Sequence, residues 1–141
     1  MSGLTAAAET DIAANPARVW TALTEPEQIA AYMWGTRVET TWEIGSSITW
    51  NGEHDGKSYQ DKGEVLTYDE PRALSVTHYS PLMGAPDEPE NYHTLVYTLT
   101  ADGNRTHVRL TQDGCADQAQ VEQFGANWQQ MLDGLKAHAE R

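Results

Sequence analysis

The sequence predicts an α+β fold, an antiparallel sheet of about seven strands with one long C-terminal helix. Two observations predict it. Residues 36–112 alternate between apolar and polar side chains and are punctuated by glycine and proline, which is typical of strands joined by hairpin turns. Residues 116–139 instead carry apolar side chains at steps of three and four, the period of an amphipathic helix. Strands gathered in the middle of a chain, with helices outside them, favour an antiparallel sheet over a parallel one.

The N-terminal region is predicted to contain one strand and two short helices. Residues 4–14 form the strand, and Asn15 followed by Pro16 indicates a helix start. The Asn15 side chain can accept hydrogen bonds from unpaired backbone amides, and proline suits the first helical position because its missing N–H would be unpaired anyway. Residues 24–27 contain Pro26, which ends the first helix and begins the second.

The middle of the chain is predicted to supply six further strands. Gly45 is expected to turn the first hairpin, residues 52–56 to form the next turn, and Gly63 to mark a bulge. The dipeptide Gly103-Asn104 lies in the turn between the last two strands. The predicted strands cover residues 37–42, 48–50, 57–68, 74–79, 92–100 and 106–112.

The C-terminal helix carries one continuous apolar stripe. Such a stripe needs an apolar partner surface, and the strand-rich middle of the chain is the part able to supply it. The sheet is therefore expected to fold against this helix. The stripe consists of Val121, Phe124, Gly125, Trp128, Met131, Leu132, Leu135 and Ala139.

Composition narrows the class of protein. Nine Lys and Arg against 21 Asp and Glu give a formal net charge of −12, which repels phosphate backbones and anionic lipid head groups. We therefore expect no nucleic-acid partner and no insertion into a membrane. Cys115 is the one cysteine, so it can form no internal disulfide, which fits a cytoplasmic location. No secretion signal or membrane span is recognisable, and residues 1–141 are expected to form a single domain.

Ordered segments along nearly the whole chain carry a family resemblance. The segments are 15–24 (NPARVWTALT), 45–52 (GSSITWNG), 63–66 (GEVL), 77–82 (THYSPL), 89–94 (PENYHT) and 106–113 (THVRLTQD). In these segments the chain resembles the activator-of-Hsp90-ATPase-like branch of the START-like (SRPBCC) superfamily, in its bacterial stand-alone form.

The resemblance implies the helix-grip fold, also called START-like or Bet v 1-like. In that fold a curved antiparallel sheet wraps a long C-terminal helix, two short helices follow the first strand, and an apolar cavity lies between sheet and helix. Folds of this kind host hydrophobic-ligand carriers, lipid-transfer domains, cyclases and co-chaperones, so function must be argued from the site. The eukaryotic co-chaperones of this family carry an extra N-terminal Hsp90-binding domain. A chain of 141 residues has no room for it, so we expect no Hsp90-type partner.

The alternating strand residues and the helix stripe together predict the lining of a ligand cavity. The expected ligand is a small hydrophobic molecule, either a lipid or a polyketide-like or aromatic compound, bound without covalent chemistry. His78 and Gln112 are polar residues on otherwise apolar strand faces, and either could orient a ligand. The other interpretation is that the aromatic residues simply fill a core. The predicted lining consists of Tyr32, Trp34, Trp50, Val76, His78, Tyr97, Leu110, Gln112, Phe124, Trp128 and Met131.

Two other functions stay open. One is a cavity enzyme of the cyclase, dehydratase or hydrolase type with His78 as acid or base. Ser80 lies on the same strand face as His78, but no acid is expected to orient that histidine, so a hydrolase triad is not predicted. The other is a protein-interaction module, including a homodimer. His54, His93 and His107 are expected in turns or on outward strand positions, and no metal site or cofactor is predicted.

Overall fold

The computed structural model describes residues 4–33, 35–54, 56–81 and 86–141, without the side chain of His54. The helices are α1 Pro16–Thr24, α2 Pro26–Tyr32 and α3 Gln118–Ala139, and the strands are β1 Leu4–Ile12, β2 Arg37–Glu39, β3 Ser47–His54, β4 Lys57–Asp69, β5 Ala73–His78, β6 His93–Asp102 and β7 Arg105–Cys115.

The strands form one antiparallel sheet with the order β1-β7-β6-β5-β4-β3-β2. Every neighbour in this order except β1 and β7 is also a neighbour in sequence, so hairpins build most of the sheet. The first strand returns to pair with the last. The predicted α+β class is confirmed, as are the two short helices after β1 and the curved sheet with its long C-terminal helix.

Side-chain caps fix where two of the helices begin. The Arg18 backbone N–H donates to Oδ1 of Asn15 over 2.8 Å, and Pro16 follows as the first helical residue, as predicted. The Gln120 backbone N–H donates to Oδ1 of Asp117 over 2.9 Å, which starts α3. Each cap satisfies an amide that the helix itself leaves unpaired.

Helix α3 lies along β1 and is buried unevenly. Its C-terminal half is fully packed, since Leu132 and Leu135 are each 0% exposed. In its N-terminal half, Phe124 and Trp128 are only half-buried. Among the described helices, none is both long and apolar enough to cross a membrane.

Two sequence predictions about the strands need correction. The bulge in β4 lies at Leu66, where the register shifts, rather than at Gly63. Gly63 is required for a different reason: a Cβ atom there would lie 1.8 Å from the carbonyl oxygen of Thr77 on β5. The predicted turn at residues 52–56 is also too long, since β3 continues through His54 and pairs with β4 up to Lys57.

Candidate functional site

Strand register brings several polar residues together on the face of the sheet that meets α3. Trp50 on β3 is directly opposite Asp61 on β4, and residues opposite each other share a face of the sheet. The isolated bridge between Lys62 and Tyr79 then places Asp61 diagonally beside His78, the last residue of β5. The inner face at this end is therefore polar, although the same strands are apolar further along.

Asp61 and His78 form a hydrogen-bonded pair. His78 Nε2 lies 3.0 Å from Asp61 Oδ2, and their side chains are 16% and 15% exposed. The rings of Trp50 and His78 meet edge to face, with their centroids 4.9 Å apart. The carboxylate and the indole together fix the orientation of the imidazole.

The two oxygens of the Asp61 carboxylate have unequal surroundings. Asp61 Oδ1 is buried, and it has no hydrogen-bond partner among the residues that the structure describes. Buried polar atoms are nearly always paired in folded proteins. An unpaired carboxylate oxygen on an inner face therefore marks a place where a ligand can form a hydrogen bond.

Two neighbouring cavities meet at this pair. The larger has a volume of about 380 Å³, the smaller of about 170 Å³, and Met33, Asp61, His78 and Trp128 line both. The remaining lining of the larger cavity is Ser80, His93, Gln112, Phe124, Asn127, Gln130 and Met131. The remaining lining of the smaller cavity is Thr36, Trp50, Tyr59, Leu95 and Tyr97.

The N-terminal half of α3 forms one wall of the larger cavity. Trp128 Nε1 donates a hydrogen bond of 2.6 Å to Oε1 of Gln112, which is 3% exposed. The Phe124 ring lies against His93, with ring centroids 6.0 Å apart. Asn127 and Gln130 also line this cavity and are exposed, so the cavity reaches the protein surface beside α3.

The inner face is nearly filled at the opposite end. A remaining space of about 30 Å³ lies among Tyr32, Val76 and Tyr97 and their neighbours. The Tyr32 hydroxyl donates to the carbonyl oxygen of Ala22 over 2.8 Å. Burial raises the pKa of Tyr32 well above its ordinary value, with a contribution from Tyr97, and burial also raises the pKa of Tyr97. Both phenols are therefore neutral near pH 7, and Tyr97 is part of the lining of the smaller cavity.

A larger depression lies elsewhere, around the hairpin of β3 and β4. It measures about 580 Å³ and is lined by polar residues that include Arg37, Asn51 and Gln60. Gln60 Nε2 already donates to Oδ1 of Asn51 over 2.8 Å, so these two amides are partners of each other. This depression lacks the enclosing apolar walls that small-molecule sites usually have.

The structure brings together most of the residues predicted to line a cavity. Leu110 is 0% exposed and lines neither of the two open cavities, while Tyr32 and Val76 lie at the filled end. Trp34 lies outside the described residues. The predicted residues that line one or both open cavities are Trp50, His78, Tyr97, Gln112, Phe124, Trp128 and Met131.

An acid and a histidine of the site escaped the sequence analysis. Asp61 supplies the acid that was not expected beside His78, and its position could be found from strand phase because it alternates with Gly63 and Val65, which is 0% exposed. The outward position predicted for His93 is wrong. His93 is in phase with the buried Leu95 and faces the larger cavity.

The site holds groups suited to hydrogen bonding and to proton exchange. His93 Nδ1 lies 2.9 Å from the carbonyl oxygen of Asp113, and because a carbonyl can only accept, this nitrogen carries the hydrogen. An aspartate that orients a histidine is a common arrangement for general acid or base chemistry. Within the described part of the chain, no group of three or more His, Cys, Asp or Glu side chains is placed to hold a metal ion.

Comparison with known proteins finds a matching family model and similar solved structures. The family model described as "Activator of Hsp90 ATPase homolog 1-like protein" matches residues 13–140. No curated protein matches the sequence significantly. The solution structure of ChR145 from Cytophaga hutchinsonii is 45% identical, with 96% of this chain and 93% of that chain covered and a TM-score of 0.85.

More distant structures share the fold. The Aha1 dimer from Colwellia psychrerythraea is 19% identical, with 97% of this chain and 96% of that chain covered and a TM-score of 0.76. An HSP90 activator from Plasmodium falciparum is 15% identical, with 96% and 95% covered and a TM-score of 0.75. At these identities the likeness shows the fold alone.

Proposed function

We propose that this chain, which belongs to the Activator of Hsp90 ATPase homolog 1-like family, binds a small hydrophobic or aromatic molecule between its sheet and α3, without covalent chemistry. One observation carries the proposal. The apolar stripe of α3 is unbroken in sequence, yet in its N-terminal half Phe124 and Trp128 are only half-buried and border a cavity of about 380 Å³. A stripe of this kind is stable when its apolar surface is covered, and a ligand in the cavity would cover it.

The size and lining of the space suit a small ligand. Small-molecule sites usually measure about 300 to 1,000 Å³ and combine apolar walls with a few placed polar groups. Here Phe124, Trp128 and Met131 supply the apolar wall, and Asp61 and His78 supply polar groups at one point. Binding would draw its free energy mainly from apolar surface removed from water.

A fluorescence titration tests the proposal. Phenyl-naphthylamine, a neutral aromatic probe that brightens in apolar surroundings, is expected to bind saturably, and Trp128→Ala should weaken its binding by about tenfold or more because a large part of one wall is lost. Trp42→Ala is the matched control. Trp42 is another half-buried indole that donates a hydrogen bond, to the carbonyl oxygen of Thr24 over 3.1 Å, but it borders only the filled end.

The controls decide how the titration is interpreted. Circular dichroism must first show that both variants keep the wild-type fold. Equal weakening by Trp128→Ala and Trp42→Ala would contradict binding at the α3 wall. The absence of saturable binding for the probe and for a broad panel of neutral aromatic and aliphatic compounds would contradict the proposal as a whole.

The Asp61–His78 pair favours a second candidate, an enzyme that acts on a bound substrate in the same cavity. His78 would act as general acid or base and Asp61 would orient its ring. Once a substrate is found by screening, His78→Ala should lower kcat strongly and leave KM nearly unchanged. His107→Ala is the matched control, because His107 lines neither cavity and lies beside Glu9 and Asp11. Saturable binding in the absence of turnover would favour the carrier function.

A further inference from the structure

We propose that the ligand carries a hydrogen-bond donor, a hydroxyl or amine group on an apolar body, and that this donor binds Asp61 Oδ1. This inference rests on the proposed cavity and adds the chemical class of its occupant. It starts from the unequal surroundings of the two carboxylate oxygens: Oδ2 pairs with His78 over 3.0 Å, while Oδ1 is buried without a partner among the described residues.

The Asp61 side chain borders both cavities. Because Asp61 is part of the lining of the larger and of the smaller cavity, a molecule in either one lies next to this side chain. An ionised carboxylate can accept hydrogen bonds but has no hydrogen to donate. A hydrogen bond to such a charged acceptor is stronger than one between neutral groups. A ligand with a donor at this point would satisfy the one buried side-chain atom that the described residues leave unpaired.

The surroundings restrict the rest of the ligand. Trp50 lies against His78 of the Asp61–His78 pair, and Phe124 and Trp128 belong to the cavity wall that α3 provides. An aromatic or aliphatic body fits such walls, and a donor that projects from it meets Asp61. Carboxylate ligands such as fatty acids are disfavoured, because they would place a second negative charge beside Asp61 in a protein whose net charge is already −12.

Matched pairs of small molecules test the inference on the full chain. Each pair differs only in a methyl group that removes the donor: naphthol and its methyl ether, indole and N-methylindole, phenol and anisole. Calorimetry at neutral pH should show that the donor member binds more tightly by about tenfold, the typical contribution of a charge-assisted hydrogen bond. Naphthalene carboxylate should bind more weakly than either naphthol or its ether.

Variants connect the preference to one atom. Asp61→Asn keeps the shape of the side chain and removes the charge, and it should reduce the preference for naphthol over its ether to about threefold or less. Asp102→Asn removes the same charge at an exposed position and should leave the preference unchanged. The comparison of naphthol with its ether in the wild-type protein does not depend on how well any variant folds.

Each outcome decides a separate question. Equal binding of the two members of every pair would overturn the donor inference and leave the cavity proposal intact. Tighter binding of the carboxylate, or a preference that survives in Asp61→Asn, would also overturn it. If no member of any pair binds saturably, both the donor inference and the proposed function are contradicted.

Discussion

The two halves of α3 share one apolar stripe but have different surroundings. In the C-terminal half, Leu132 and Leu135 are both 0% exposed and pack into the core. In the N-terminal half, Phe124 and Trp128 are half-buried and border the larger cavity. The difference teaches that an amphipathic stripe predicts which face of a helix turns inward, but not whether that face meets side chains or an open space.

The sheet explains why the two halves differ. Opposite the C-terminal half of α3 the inner face of the sheet is apolar, with Val108 and Leu110 each 0% exposed. Opposite the N-terminal half it carries Asp61, His78 and Gln112. Polar side chains must keep hydrogen-bond partners when buried, so this part of the sheet does not offer α3 the continuous apolar surface that leucine and valine provide.

Truncating one apolar residue in each half of α3 tests whether the two halves differ. Leu132→Ala leaves a void in a packed core and should lower the free energy of unfolding by about 2 to 5 kcal/mol. Phe124→Ala removes a larger side chain, but one that is half-buried against a cavity, so its effect should be smaller. Urea denaturation of both variants measures the two effects. A larger loss for Phe124→Ala would show that the N-terminal half is ordinary core.

A substitution at Gln112 tests how much its hydrogen bond with Trp128 stabilises the N-terminal half of α3. Gln112→Met keeps the length of the side chain but removes the acceptor of the 2.6 Å hydrogen bond from Trp128. An indole N–H left without its partner in partly buried surroundings should lower the free energy of unfolding by about 1 to 3 kcal/mol. Thermal denaturation checks the size of the effect, and Gln123→Met at an exposed position of α3 is the control. An unchanged melting temperature would indicate that the cavity wall does not depend on this bond.

The smallest expected effect is a pH-dependent change in stability at His107, which should leave ligand binding in the cavity unchanged. On the outer face of β1 and β7, His107 lies 2.8 Å from both Asp11 Oδ1 and Glu9 Oε1. Hydrogen bonds to Asp11 and then to Glu9 raise the pKa of His107 above its ordinary value of 6.5. A raised pKa in the folded state means that the contribution to stability is complete below the unfolded pKa and is lost as pH rises through the folded pKa.

The test compares the wild type with His107→Gln by urea denaturation over a range of pH. The wild type should be the more stable protein at about pH 6, and its advantage should shrink towards about pH 9. Probe binding in the cavity should not respond to the substitution, because the cluster lies on the other face of the sheet. An advantage that grows with pH would contradict the assignment of the raised pKa.

Much of this fold follows from local sequence signals. The Asn15-Pro16 pair predicts the start of α1, and the hydrophobic period changes from alternating to helical at the last element. The predicted bulge at Gly63 was wrong because a glycine can serve either a bulge or a close approach between two strands, and the sequence does not distinguish them.

The site was harder to predict than the fold. His78 and Gln112 stood out because they interrupt apolar strand faces. Asp61 did not stand out, because β4 is polar on both faces at this point and its partner lies 17 residues away on another strand. The pair exists only through the register of β4 with β5, and register is a tertiary property.

The central claim, that the N-terminal half of α3 is the wall of a ligand cavity, is tested most directly by NMR of the indole N–H groups. Five tryptophans give five such resonances. During titration with naphthol, the resonances of Trp50 and Trp128 should shift saturably with one shared dissociation constant. Trp20, which is 2% exposed and donates to the Tyr68 hydroxyl over 3.2 Å, should stay in place. Shifts of Trp20 with none at Trp128, or no saturable shift at either cavity residue, would contradict the claim.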